Sequence, residues 1–174
     1  YVLHKRTRIE ETAGTKESLL HLVQLGETGI PVVFALLLDI NALIFLVMLT
    51  GLVLHEVTAL WDVSYASRRR YVSPLEQHVH SFMEVLPLTA LLLVSVMYWN
   101  QFAALFGFGP EPPRFELRPK SNPIPTPYLV ALLLGIACFV VLPYAEELWR
   151  CIRVAPSRQL RDNTKQTLRS SQAA

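Results

Sequence analysis

The residues of this chain best suited to chemistry are three of its five histidines, His55, His78 and His80, set among Glu56, Asp62, Glu76 and Glu84. Imidazole and carboxylate together bind zinc, manganese or non-haem iron, and they also move protons near neutral pH. These groups lie where two long apolar segments meet. An ionisable group at a membrane boundary is costly unless it pairs, binds something or reaches water. Glu76, His80 and Glu84 recur every fourth residue and would share one helix face, whereas His78 would point elsewhere. His55 and Asp62, seven residues apart, would share a face of the preceding helix. A hairpin turning through residues 63–73 sets His55 and Glu56 level with His80 and Glu84.

A metal site is the leading expectation, with His55, His80 and Glu84 as core ligands and Glu56 and Asp62 as further ligands or bases. Zinc, iron or manganese would suit it. Haem between His55 and His80 is less favoured, because it needs a wider apolar cleft than a hairpin offers. No named motif covers the pattern. Glu56 is followed by Val57, Thr58 and Ala59, so there is no HExxH, and Glu76 and His80 are one residue further apart than the Glu-x-x-His pairs of di-iron bundles. The competing expectation is structural: the carboxylates, with Glu146 and Glu147 from the third span, would pair with Arg68, Arg69, Arg70 and Arg150.

The elements that must position these groups are membrane helices. Of the 174 residues 52% are hydrophobic and only 17% are charged, against roughly 25% charged in soluble domains. Residues 30–54 hold a single charge, Asp39, and residues 85–108 and 128–145 hold none. A bilayer core of about 30 Å takes roughly 20 apolar residues in a helix. The expected fold is an all-α integral membrane protein with three transmembrane helices in a small bundle, spanning about 30–60, 80–107 and 127–150. A short interfacial amphipathic helix within the N-terminal arm (residues 1–26) precedes them, its apolar face formed by Leu19, Leu20, Leu22, Val23 and Leu25. Residues 107–127 contain seven prolines and read as an irregular loop, and Pro87 is expected to kink the second helix. Residues 155–174 form a basic polar tail in which Arg158, Arg161, Lys165 and Arg169 recur at helical spacing.

Three spans place the N-terminal arm and the proline-rich loop on one side with seven Lys and Arg, and the Arg68–Arg70 turn and the tail on the other with nine. That bias puts the turn and the C-terminus in the cytoplasm of a bacterial-type inner membrane. The chain opens on Tyr1, which leaves a preceding segment open. Cys138 and Cys151 are thirteen residues apart on one helix and cannot bridge each other.

Asp39 falls near the middle of the expected first span, at the depth of Asn100 and Tyr98 on the second. A carboxylate there would be neutral and hydrogen-bonded to one of them, as a proton or coupling-ion residue or as a polar clamp. The partners expected are the bilayer and either other membrane subunits or a second copy. No nucleic-acid signature is present. The functional expectation is redox or hydrolytic chemistry on a lipophilic substrate at the metal. The alternatives are a non-catalytic accessory or assembly subunit of a larger membrane complex, or a proton-coupled transporter.

Overall fold

The architecture turns on Asn41. Its backbone is extended (φ −143°), and its Oδ1 accepts hydrogen bonds from the N–H groups of Leu43 (3.0 Å) and Ile44 (3.3 Å). That is an N-cap, and it starts a new helix where one long span was expected. The computed structural model describes residues 1–155, so the basic tail lies outside it. Its helices are α1 (Val2–Arg6), α2 (Thr15–Leu37), α3 (Ala42–Ser67), α4 (Pro74–Met97), α5 (Trp99–Leu105) and α6 (Thr126–Ala155), with a 3-10 turn at Ile9–Glu11.

Four of these, α2, α3, α4 and α6, are long and apolar enough to cross a membrane, where three spans were expected. The expected interfacial helix is the first half of α2, which continues through Pro31 to Leu37. A single helix over 30–60 would have run roughly 45 Å at 1.5 Å per residue, half as long again as a bilayer core needs. The second expected span is also interrupted. Tyr98 leaves helical geometry (φ −123°, ψ 41°) and separates α4 from α5.

The extra crossing changes which ends meet. With four alternating helices, the start of α2, the end of α3, the start of α4 and the end of α6 share one face with α1. Of the described basic residues, nine belong to that face and three (Arg114, Arg118 and Lys120) to the proline-rich loop opposite.

Packing between α2 and α3 is close enough to require a glycine. A Cβ on Gly51 would stand 2.5 Å from the carbonyl oxygen of Glu27 and 2.8 Å from Cγ of Pro31. At the far end, Ile40, Ile44, Phe45 and Leu91 form a buried cluster, and the Phe45 ring meets Phe102 edge-on at 5.1 Å. The proline-rich loop is irregular, as expected, and latches onto the α2–α3 break. The Asp39 N–H donates to the Arg118 carbonyl (2.8 Å), the Asn41 amide to that of Glu116 (2.8 Å), and Lys120 Nζ to that of Ala35 (2.5 Å). A lysine at the C-terminal end of α2 suits both its free carbonyls and its dipole.

In α6 the stretch Ala137–Val141 widens to a π-helical turn just before Pro143. Proline has no N–H for the carbonyl four residues back, and a locally wider turn accommodates that loss. The end of α6 is tied to the N-terminal arm, where Cys151 packs with Ile9 and Ala13 in a buried plug beside Tyr65.

Candidate metal centre

Helical spacing loads the shared face with ionisable groups. Glu17 and His21 stand four apart on α2, as do Glu76 and His80 on α4; α3 brings His55 and Asp62, α6 brings Glu147, and α1 brings His4. Glu17, Asp62, Glu76 and Glu147 are each only 1% exposed. Four buried carboxylates would be prohibitive without compensating positive charge and hydrogen bonds.

Glu147 lies at the centre. Its Oε2 is 2.9 Å from Nδ1 of His4 and its Oε1 is 2.9 Å from Nδ1 of His21, and the two imidazole rings stack at 4.6 Å with 10° between their planes. The other ring nitrogens face two further carboxylates: His4 Nε2 is 3.5 Å from Glu76 Oε1, and His21 Nε2 is 3.1 Å from Asp62 Oδ2. Arg70, in the α3–α4 turn, completes the series. Its Nη2 donates to Glu17 Oε1 (2.6 Å) and Glu76 Oε1 (2.5 Å), and its Nη1 to Glu76 Oε2 (2.9 Å). Burial works against charge on Arg70, but Glu76 and Glu17 outweigh it and hold the guanidinium more firmly protonated than usual. The same balance acts on His4, where burial opposes the charge and the hydrogen bonds to Glu147 and Glu76 raise its pKa above the ordinary imidazole value.

Four carboxylates against one guanidinium leave a deficit of three positive charges, which protonated histidines or bound cations must fill. Several buried polar atoms make no aligned hydrogen bond among the described residues: both ring nitrogens of His55, and Nε2 of His21 and both oxygens of Asp62, although His21 Nε2 and Asp62 Oδ2 stand 3.1 Å apart. A cavity of about 70 Å³ adjoins the histidines, lined by His4, His21, His55, His80, Glu84 and Glu147 among others. It is large enough for an ion with a few waters, each needing roughly 10–15 Å³ by the same measure. Three sets of donors have atoms within 4.8 Å of one another: His4, Glu76 and His80; Glu17, His21 and Asp62; and His4, His21 and Glu147.

Of the residues expected to bind metal, His55, His80 and Glu84 line this cavity, and Asp62 faces His21 behind it. Glu56 is half-exposed and is not among the lining residues. His78 points away and packs edge-on against Phe82, as its spacing implied. The ion pairs expected for the arginines are present at Arg70 and also at Arg150, which meets Glu10 and Glu146.

The second expected site is corrected. Asp39 lies in the break between α2 and α3, not at mid-bilayer, and its Oδ1 accepts from the Ser121 N–H (2.9 Å) and hydroxyl (3.1 Å). The backbone hydrogen bond from Ser121 lowers its pKa, so it is ionised rather than neutral. Asn100 donates to Glu111 (2.8 Å) rather than to Asp39, and Tyr98 marks the α4–α5 break. The physical reason is the cap at Asn41, which turns the chain at a helix end.

Sequence reasoning passed over His4, His21 and Glu17, because three spans leave the N-terminal arm on the opposite face. A signal was present: the Glu-x-x-x-His pair on α2 repeats the one on α4.

Fold and site together define a class, an all-helical chain with helices fit for several membrane crossings and a buried histidine–carboxylate cluster at one end. Compared with protein-family models, with curated proteins and with solved structures, the chain finds no match.

Proposed function

We propose that this chain is a multi-pass membrane protein that binds a divalent metal at its basic, cytoplasmic face and uses it for redox or hydrolytic chemistry on a lipophilic substrate. One observation carries the reading. Glu147 takes Nδ1 of His4 and of His21, which turns both Nε2 atoms onto other carboxylates. Metal-binding histidines characteristically give their other ring nitrogen to a carboxylate in this way. Zinc, iron or manganese fits this donor set. The excess of basic residues on the site face supports a cytoplasmic position.

The cavity also touches Val79, Met83 and Pro143, apolar residues of the helices that would face lipid, so an apolar substrate could reach the donors from the bilayer. His55, buried with both ring nitrogens unpaired beside the cavity, is placed to take or give a proton there. The metal would supply the electrophile or the redox centre.

The test is elemental mass spectrometry on detergent-purified protein. Stoichiometric zinc, iron or manganese that falls in His21→Ala supports the reading. A folded, metal-free protein that takes up none of them overturns it.

One observation favours a second reading. Arg70 satisfies Glu17 and Glu76 with no ion present, so the cluster could be a structural ion-pair network in an accessory subunit of a larger membrane complex. That reading expects no metal and poor stability when the chain is expressed without its partner.

A further inference from the structure

Building on the metal reading of this cluster, and resting on it, we propose that the centre holds two divalent ions side by side. One would sit on His4, Glu76 and His80 and the other on Glu17, His21 and Asp62, with Glu147 orienting both His4 and His21 from behind. These two sets share no residue, and the donor atoms of each lie within 4.8 Å of one another. Each set draws on separate elements, α1 with α4 and α2 with α3.

One pair of donors in each set stands near the spacing of ligands to a common ion. Two donors about 2.1 Å from one metal stand roughly 3.0–3.4 Å apart, depending on octahedral or tetrahedral geometry. His21 Nε2 and Asp62 Oδ2 are 3.1 Å apart, and His4 Nε2 and Glu76 Oε1 are 3.5 Å apart. With Nδ1–H donated to Glu147, a neutral imidazole presents a lone pair at Nε2. Two lone pairs facing each other repel unless a cation lies between them. A proton on each Nε2 is the alternative occupant of these two contacts, and the metal count below separates the two cases.

Charge favours two ions over one. Four carboxylates and Arg70 leave three negative charges. With His4 and His21 both unprotonated, one divalent ion leaves the buried cluster negative, whereas two leave a single positive charge that a bound hydroxide would neutralise. The stacked imidazoles, 4.6 Å apart, keep the two positions together rather than in separate parts of the bundle. Two-metal sites, with ions roughly 3.5–4 Å apart, hold a nucleophile or an oxidant between them, which is the arrangement hydrolytic or oxidative chemistry uses. The di-iron carboxylate bundles draw four carboxylates and two histidines from four helices. The set here differs from theirs: three carboxylates and three histidines would be ligands, with Glu-x-x-x-His spacing on two helices and Glu147 behind the histidines.

Manganese(II) is the probe. Purified full-length protein in detergent is stripped with chelator and reloaded, and bound manganese is counted and examined by electron paramagnetic resonance. Two ions per chain and a spin-coupled signal are expected. His80→Ala and Asp62→Ala should each retain one ion with an isolated six-line signal, and circular dichroism checks that both stay helical. One ion in the wild type, abolished by either substitution, overturns the two-ion proposal and leaves a single-metal site standing. No ion in the folded wild type, with zinc and iron also failing to bind, overturns both. The wild-type count decides the matter even if a variant fails to fold.

Discussion

Nδ1 of His21 and Oε1 of Glu147 lie 2.9 Å apart across 126 residues of sequence. They can meet only because α2 starts on the face where α6 ends. Glu147 serves His4 equally, so replacing it with glutamine disables one of its two acceptors without changing its size. Glu147→Gln should weaken metal binding by about 10–100-fold, the usual effect of losing a carboxylate behind a metal-bound histidine. Competition with a chelator of known affinity measures this, and an unchanged affinity would detach Glu147 from any metal site.

Arg70 is the fixed positive charge of the cluster, with its side chain 4% exposed. Arg70→Met would leave Glu17 and Glu76 buried and facing each other, so the folded state should lose about 3–5 kcal/mol, as when one partner of a buried ion pair is removed. Adding Glu17→Gln to that variant should recover part of the loss by removing one stranded charge. Denaturant unfolding in detergent, followed by circular dichroism, reads both. Equal stability of the double and single variants would mean that Glu17 is protonated once Arg70 is gone.

How far the sequence revealed this arrangement depended on two residues. The apolar runs were long enough to announce membrane helices, and the face holding His55, Asp62, His80 and Glu84 followed from their spacing alone. What spacing could not weigh was Asn41 against its apolar neighbours. A side chain that caps a helix and one buried in mid-helix look alike in a hydropathy profile, and only the excess length of the 30–60 segment argued for a break. Reading Asp39 as mid-bilayer was the same error in another form. Once α2 became a separate crossing, the N-terminal arm moved to the other face, bringing His4 and His21 with it. One capping residue therefore decided both the topology and half of the donor set.

Asp39 accordingly supplies a control. Its partners are Ser121 and the loop, at the end of the bundle away from the cluster. Asp39→Asn should leave metal content and its stoichiometry unchanged, within error of elemental analysis. A loss of metal in that variant would show that the two ends of the bundle are coupled.

His4 gives a pH dependence of definite sign. Its folded pKa lies above the ordinary imidazole value of about 6.5. The stabilisation it brings to the metal-free protein is therefore complete below that value and is lost as the pH rises through its folded pKa. Metal binding runs the other way, because the ion displaces the proton, so affinity should rise over the same interval. Thermal unfolding of chelator-treated protein between pH 6 and 9 should show a decline that is shallower in His4→Gln. Identical slopes in the two proteins would mean that His4 does not carry the charge assigned to it.

Gly51 tests the packing that holds the α2 and α3 donors in place. An added methyl would lie 2.5 Å from the Glu27 carbonyl oxygen, and that atom belongs to a helical backbone that cannot swing aside. Gly51→Ala must push α2 and α3 apart, at a cost of about 1–3 kcal/mol typical of overpacking. Separating the helices also draws His21 away from Asp62, so manganese should be held less tightly on that side of the cluster. Gly26 is the matched control, since nothing lies within 4 Å of a Cβ built there. Gly26→Ala in α2 should be neutral or stabilising by up to about 1 kcal/mol through helix propensity. The pair separates crowding from propensity. If Gly51→Ala is as stable as Gly26→Ala and binds manganese equally well, the close α2–α3 crossing is not what sets the site.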